Sequence, residues 1–499
     1  MLSFLAVTIA LIGHVTGQGG QTKPTVTVTT QRGIVNGFHE DLGSDTSQIF
    51  YGQADVFLGV PYAVPPVGDL RFKLPQRLCS YSTPVNATAY RDQCTQNPVF
   101  RQISEPPLHS SDDCLYLNIA SPSVTSPTKV PVMVWFHSGG LTYGSADMFD
   151  YKGAVRNMVT KGVVVVTVGY RLGMTGFFTT FTEDFPANRG FFDQSLALRW
   201  IQEEISAFGG DPNQVTIFGE SAGGASVNAH SLSPVSRGLF RKTIEQSGAA
   251  LIQFIAPNNP NGDIYKKRAQ EICGFTSAQW AAGDFSSLVS CLASKSSSDL
   301  ALFDQDIVTN PLNGQWPAAL DGAFFPKTLS QLAVDRPNYP VLQGDCHDEY
   351  SIVMDTNVSL YDSSFIQREL TAAHPEFGAA LTPGIANAIA RTFKRTPVAD
   401  DDHQAWADIV VEVFTNMYFS SFFRRSAQWY LDNGNPNIFI YTFQHPGTPC
   451  KNVQIGNTSF TYHTSELCYL WMYPYFWQDP NVTKTAEDVQ LADFIGTVW

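Results

Sequence analysis

The chain has 499 residues, 43% of them hydrophobic and only 15% charged, enough to bury one large α/β core or several small ones. Its 31 basic and 45 acidic side chains leave a net charge of −14 with no Lys/Arg cluster, which argues against nucleic acid as a partner. Beyond the N-terminus no segment approaches the roughly 18 uninterrupted apolar residues of a membrane span, so no integral membrane segment is expected.

Leu2 to Ile12 is a short apolar run, followed by small residues around Val15-Thr16-Gly17 and a polar stretch from Gln18. This pattern reads as a secretory signal peptide over residues 1–17, although a basic residue is missing from its start; a buried N-terminal strand is the alternative. Eight cysteines, an even number, suit an oxidising compartment. Asn86-Ala87-Thr88, Asn357-Val358-Ser359, Asn457-Thr458-Ser459 and Asn481-Val482-Thr483 are glycan acceptors if the chain is exported.

Further along, Val130–Phe136 and Gly162–Val168 are continuous β-branched runs that suit central strands covered on both faces. Asp193–Ile205 carries apolar residues at helical spacing. After the turn signal Gly209-Gly210-Asp211-Pro212, Gln214–Phe218 reads as another strand. It leads into Gly219-Glu220-Ser221-Ala222-Gly223, and Gly224–His230 reads as a helix. Strand, helix, strand, turn, helix describes an open α/β sheet, whose sites lie beyond the carboxyl ends of its strands. The second half reads as helices and long loops broken by prolines near 257–260 and 311–317, taken as excursions of a single domain spanning 18–499.

A Gly-x-Ser-x-Gly turn between strand and helix projects a serine hydroxyl into a site, because the small flanking residues let neighbouring backbone pass close by. Ser221 is therefore the candidate nucleophile for acyl transfer. Such chemistry needs an imidazole to take the hydroxyl proton, a group to orient that imidazole, and donors for the developing oxyanion. The donors expected are the N–H of Ala222 and those of a glycine turn, His137-Ser138-Gly139-Gly140, which follows the first long strand. Six histidines follow Ser221: His230, His347, His374, His403, His445 and His463. Residue types alone do not choose among them. His347 has Glu349 two residues on, but neighbours at that spacing point to opposite sides of an extended chain.

Several blocks in fixed order resemble the type-B carboxylesterase/lipase family, which contains the carboxylesterases and cholinesterases. They are Phe57–Ala63, Pro65–Gly68, Leu70-Arg71-Phe72, Asp113–Asn118 and Ala207–Asn213, leading into Gly219–Gly224. The resemblance covers essentially the whole chain after the leader. It implies the α/β-hydrolase fold, with a central, mostly parallel sheet covered by helices on both faces. It places the acid of a catalytic triad at Glu349, with Asp348 as its rival, and the histidine at His463. Gly139, Gly140 and Ala222 become the oxyanion donors, and Glu220 either tunes the site by its charge or serves only as a turn residue. The same resemblance implies disulfides Cys94–Cys114 and Cys273–Cys291, and leaves Cys79, Cys346, Cys450 and Cys468 unassigned.

Departures are visible too. Ser138 stands where the family often has the first of three glycines, and Tyr350 follows Glu349 where a glycine is usual. No tryptophan occurs between Cys94 and Cys114, where cholinesterases hold a quaternary ammonium by cation–π attraction. The expected activity is therefore secreted hydrolysis of small carboxylic esters, with no cofactor and no metal. The alternatives are a catalytically silent adhesion or receptor-binding protein on the same fold, and a lipase. The C-terminal segment Ala492–Trp499 matches a helix that continues further in the family, so the domain reads as short at that end. Oligomeric state and natural substrate are left open.

Overall fold

The computed structural model describes residues 23–97, 109–253, 264–303, 316–373, 383–394, 397–449 and 452–499. The leader expected at 1–17, His374 and Cys450 lie outside the described residues. Ten strands build one sheet: β1 Thr25–Thr30, β2 Gly33–Asp41, β3 Gln53–Pro61, β4 Tyr116–Ser121, β5 Val130–Phe136, β6 Val164–Val168, β7 Gly210–Glu220, β8 Lys242–Gln246, β9 Val341–Cys346 and β10 Ile438–Phe443. Their spatial order is β1-β2-β3-β4-β6-β5-β7-β8-β9-β10, with a short strand Val85–Asn86 beside β2. From β6 to β10 every neighbour pair is parallel, and from β1 through β4 to β6 every pair is antiparallel.

The parallel strands are apolar on both sides because both sides are covered. In β5, Val132, Val134 and Phe136 join one buried cluster, whereas Met133 and Trp135 join another, as the two-residue period of a strand requires. β6 divides the same way, Val164, Val166 and Val168 against Val165. The first cluster is closed by helix α1 (Arg189–Glu204), through Phe191, Leu198, Trp200 and Ile201, and by α2 (Ala222–Leu232), through Val227 and Leu232. Two further helices, α3 (His403–Thr415) and α4 (Ser421–Asp432), flank a five-residue π-helical segment, Asn416–Ser420. The second cluster is closed by α5 (Leu467–Trp471) and α6 (Ala486–Val498), where Trp471 packs 5.1 Å from Trp135 between ring centroids.

The sequence expectations differ from these elements mainly at their ends. β6 starts at Val164 rather than Gly162, α1 starts four residues earlier than Asp193, and α2 starts at Ala222. β7 begins at Gly210, inside the turn signal, because Gly210 pairs with Val130 and the register then breaks until Val215. Asp211-Pro212-Asn213 is thus a bulge inside a strand, with the Asp211 carboxylate accepting from the Asn213 N–H at 2.9 Å.

One ion pair ties the strand layer to α1. Arg171 donates to both carboxylate oxygens of Asp193, at 2.7 and 2.8 Å, and both side chains are essentially inaccessible to solvent. Removing one partner would leave the other charge buried and unpaired. Asp193→Asn is accordingly expected to lower unfolding free energy by about 3–5 kcal/mol, read as a drop in the urea midpoint.

Candidate active site

Ser221 sits between β7 and α2 with φ 55° and ψ −121°, a backbone conformation that a side chain with Cβ rarely adopts. The strain is held by close backbone packing. A Cβ on Gly223 would fall 2.0 Å from the Phe136 carbonyl oxygen, and one on Gly219 would fall 2.5 Å from the Gly223 carbonyl carbon. Only glycine fits at either place. The turn is further fixed by the Ser221 N–H, which donates to Gln246 O at 2.8 Å, and by the Ser221 carbonyl, which accepts from the Ala225 N–H at 2.8 Å. Ser221 itself remains half-buried.

The same packing seats the nucleophile turn on the end of β5, from which the Ser138-Gly139-Gly140 turn departs. Gly139 and Gly140 have φ 110° and 59°. Their N–H groups donate to no acceptor among the described residues. Ala222 opens α2, where an N–H has no acceptor within its own helix. These are the three donors expected from sequence.

Glu349 and His463 meet although they are 114 residues apart: Glu349 Oε2 lies 2.5 Å from His463 Nδ1. The other oxygen, Oε1, accepts from the Cys346 N–H at 2.8 Å, which fixes the carboxylate at the end of β9. Asp348 does not compete, because its oxygens accept from the Thr461 N–H at 2.9 Å and contact His347 Nδ1 at 2.6 Å. The extended chain expected around His347 is not observed. The chain there enters a 3-10 turn over Glu349–Val353, and His347 is exposed and engaged with Asp348. Tyr350, in place of glycine, is buried against Phe414 and Tyr418.

The other described histidines are occupied elsewhere. His230 lies buried between Gln194 and Ser236, His403 contacts Tyr361 O, and His445 contacts Asp488.

Glu220 lies against the His463 imidazole as well as closing the turn. It is fully buried, and its Oε1 lies 3.1 Å from His463 Nε2 while accepting no hydrogen bond. The contact lacks hydrogen-bond alignment. Its Oε2 accepts from the Ser138 hydroxyl. No hydrogen bond joins Ser221 Oγ to His463 among the described residues, an arrangement common before substrate tightens a catalytic site.

Two features had no signal in residue type, and a third showed only as a departure from the family's glycine pattern. Glu466, three residues after His463, is buried and accepts from Gln246 Nε2 at 3.1 Å and from the Cys346 thiol at 3.1 Å. Phe419, on the π-helical segment, places its ring 4.9 Å from the His463 ring. Ser138 turns out to be a hydrogen-bond donor to a neighbouring carboxylate.

These groups shift one another's proton affinity. Burial raises Glu220 to about 8, opposed mainly by the nearby imidazole. Burial pulls His463 down, but Glu220, Glu349 and Glu466 outweigh it and push the imidazole up to about 9. A base must be neutral to take a proton, so kcat/KM for an ester is expected to rise with pH along a limb above the ordinary imidazole value of 6.5. A pH–rate profile with its acid limb at or below 6.5 would contradict these shifts.

The sheet order, the serine turn and the helices on both faces define an α/β-hydrolase fold. The profile described as the Carboxylesterase family matches residues 23–499, and the chain belongs to that family. It is 35% identical to Carboxylesterase 1E of Mus musculus over 73% of this chain and 66% of that protein. It is 42% identical to Carboxylesterase 5A of Canis lupus familiaris over 56% of this chain and 48% of that protein. It is also 30% identical to the Fatty acyl-CoA hydrolase precursor, medium chain, of Anas platyrhynchos over 96% of this chain and 84% of that protein. The chain thus spans about half to two thirds of the length of the first two relatives.

Disulfides join Cys94 to Cys114 and Cys273 to Cys291. Cys468 is also disulfide-bonded, whereas Cys79 and Cys346 are free. All four sequon asparagines, Asn86, Asn357, Asn457 and Asn481, are exposed. Among the described residues no helix is long and apolar enough to cross a membrane, and no cluster of three His, Cys, Asp or Glu side chains could hold a metal ion.

Proposed function

We propose that the protein is a secreted serine carboxylesterase in which Ser221, His463 and Glu349 hydrolyse small carboxylic esters through an acyl-enzyme. The observation that carries this reading is the 2.5 Å contact between Glu349 and His463 Nδ1, with Nε2 turned toward the residue beside the strained serine. Ser221 Oγ attacks the ester carbonyl carbon as its proton passes to His463 Nε2. The carbonyl oxygen becomes an oxyanion, received by the N–H groups of Gly139, Gly140 and Ala222; one such donor is worth about 3 kcal/mol. The tetrahedral centre collapses, the C–O bond to the alcohol breaks, and the alcohol leaves with the proton from His463. Water then repeats the sequence on the acyl-enzyme, giving a carboxylic acid and free Ser221. Glu349 holds the imidazole in the correct tautomer and favours its cation.

Export rests on the apolar leader over 1–17, the disulfides and the exposed sequons, which together suit an oxidising, glycosylating route. Residues 18–499 are taken as one domain. The test is hydrolysis of p-nitrophenyl acetate and butyrate by protein recovered from the culture medium of cells expressing the full chain. Turnover with a burst of p-nitrophenol close to one equivalent per protein is expected. Folded protein inert toward both esters would overturn the reading.

A further inference from the structure

Ser138, in the turn after β5, reaches across to the Glu220 carboxylate beside His463. Its hydroxyl donates to Glu220 Oε2 in a buried setting, and Glu220 is the last residue of β7, leading directly into the serine turn. The other carboxylate oxygen, Oε1, has no hydrogen bond of its own and faces His463 Nε2 at 3.1 Å. A glycine at position 138 could make no such bond.

We propose that Ser138 is a positioning residue for the base: by holding Glu220 through Oε2, it keeps Oε1 against the imidazole nitrogen that must take the serine proton. The inference rests on the serine-esterase reading above. With Glu349 on Nδ1 and Glu220 beside Nε2, the imidazolium formed during attack is flanked by carboxylates on both sides. Other groups near this pair are Glu466 and the Tyr143 and Tyr473 hydroxyls, with the Cys346 thiol and the Tyr462 hydroxyl beyond them next to Glu466. Of these only Glu466 is an acid near both Glu220 and His463, and its thiol and amide donors come from elsewhere.

The sign of the effect follows from the hydrogen bond. A hydroxyl donated to a carboxylate favours the charged form, and this one lowers the proton affinity of Glu220. Without it, Glu220 holds its proton to higher pH and drifts from Nε2. His463 then loses a counter-charge, and its own proton affinity falls.

Ser138→Ala keeps the backbone and removes only the hydroxyl. It is expected to move the acid limb of the kcat/KM profile to lower pH by about one unit. The kcat on the alkaline plateau should fall about tenfold, with KM little changed. Ser138→Thr, which restores a hydroxyl, should recover both. The decisive comparison is the same substitution in a Glu220→Gln background, where Ser138→Ala should change neither limb nor plateau. A wild-type profile in Ser138→Ala, or equal effects with and without Glu220, would overturn the proposal. Wild-type protein inert toward esters would instead defeat the esterase reading, so the two failures are separable.

Discussion

Ser221→Ala is expected to lower kcat on p-nitrophenyl butyrate about a million-fold, leaving only what binding and the oxyanion donors contribute. The size follows from the role: no other hydroxyl is placed on the strained turn, and water in its place forms no acyl-enzyme. Alanine retains the Cβ of serine, so the φ of 55° costs nothing new and the fold should be preserved. His463→Ala should have a loss of similar size, because an alkoxide is inaccessible at neutral pH without a base. The double variant should be scarcely worse than either alone, since the two groups act as a unit. Losses that multiplied would mean that the two residues work independently.

Glu349→Gln is expected to cost about ten-thousand-fold in kcat with little change in KM. Glu349 accepts at both oxygens, from the Cys346 N–H at Oε1 and from the imidazole at Oε2. A glutamine has one oxygen and one NH2, so it cannot accept from both. If its oxygen stays on Cys346, its NH2 faces Nδ1 and drives the imidazole to the tautomer protonated at Nε2, which cannot take the serine proton. If it flips, the buried Cys346 N–H is left facing a donor. Turnover of wild-type size in this variant would remove Glu349 from the mechanism, and a large gain from Asp348 in its stead is not expected, because Asp348 is committed to Thr461 and His347.

Much of the sheet was legible because it obeys local rules. Val130–Phe136 is apolar at every position that matters, and its two faces divide between two cores as alternation demands. The serine turn was legible because its glycines are required by backbone passing 2.0 and 2.5 Å from where a Cβ would sit. Boundaries were less so: nothing in Gly209–Asn213 distinguishes a turn before a strand from a bulge within one, since that depends on Gly210 pairing with Val130.

The Glu349–His463 pair could not be found from residue types, because the two are brought together only by the ends of β9 and the loop before α5. Family resemblance supplied that pairing. Glu466 and Phe419 carried no signal at all, for a buried carboxylate and a ring on a π-helical segment look like any surface acid and any core aromatic. Ser138 was visible as a departure from the glycine pattern, but its consequence depends on where the Glu220 carboxylate turns.

In the proposed mechanism one hydroxyl, that of Ser221, becomes a nucleophile. Treatment with a fluorophosphonate, followed by mass spectrometry of the digested protein, tests it most directly. A single stoichiometric adduct on Ser221 is expected, absent from Ser221→Ala and strongly slowed in His463→Ala. Equal labelling of wild type and Ser221→Ala, or an adduct mapped to a different residue, would contradict that mechanism.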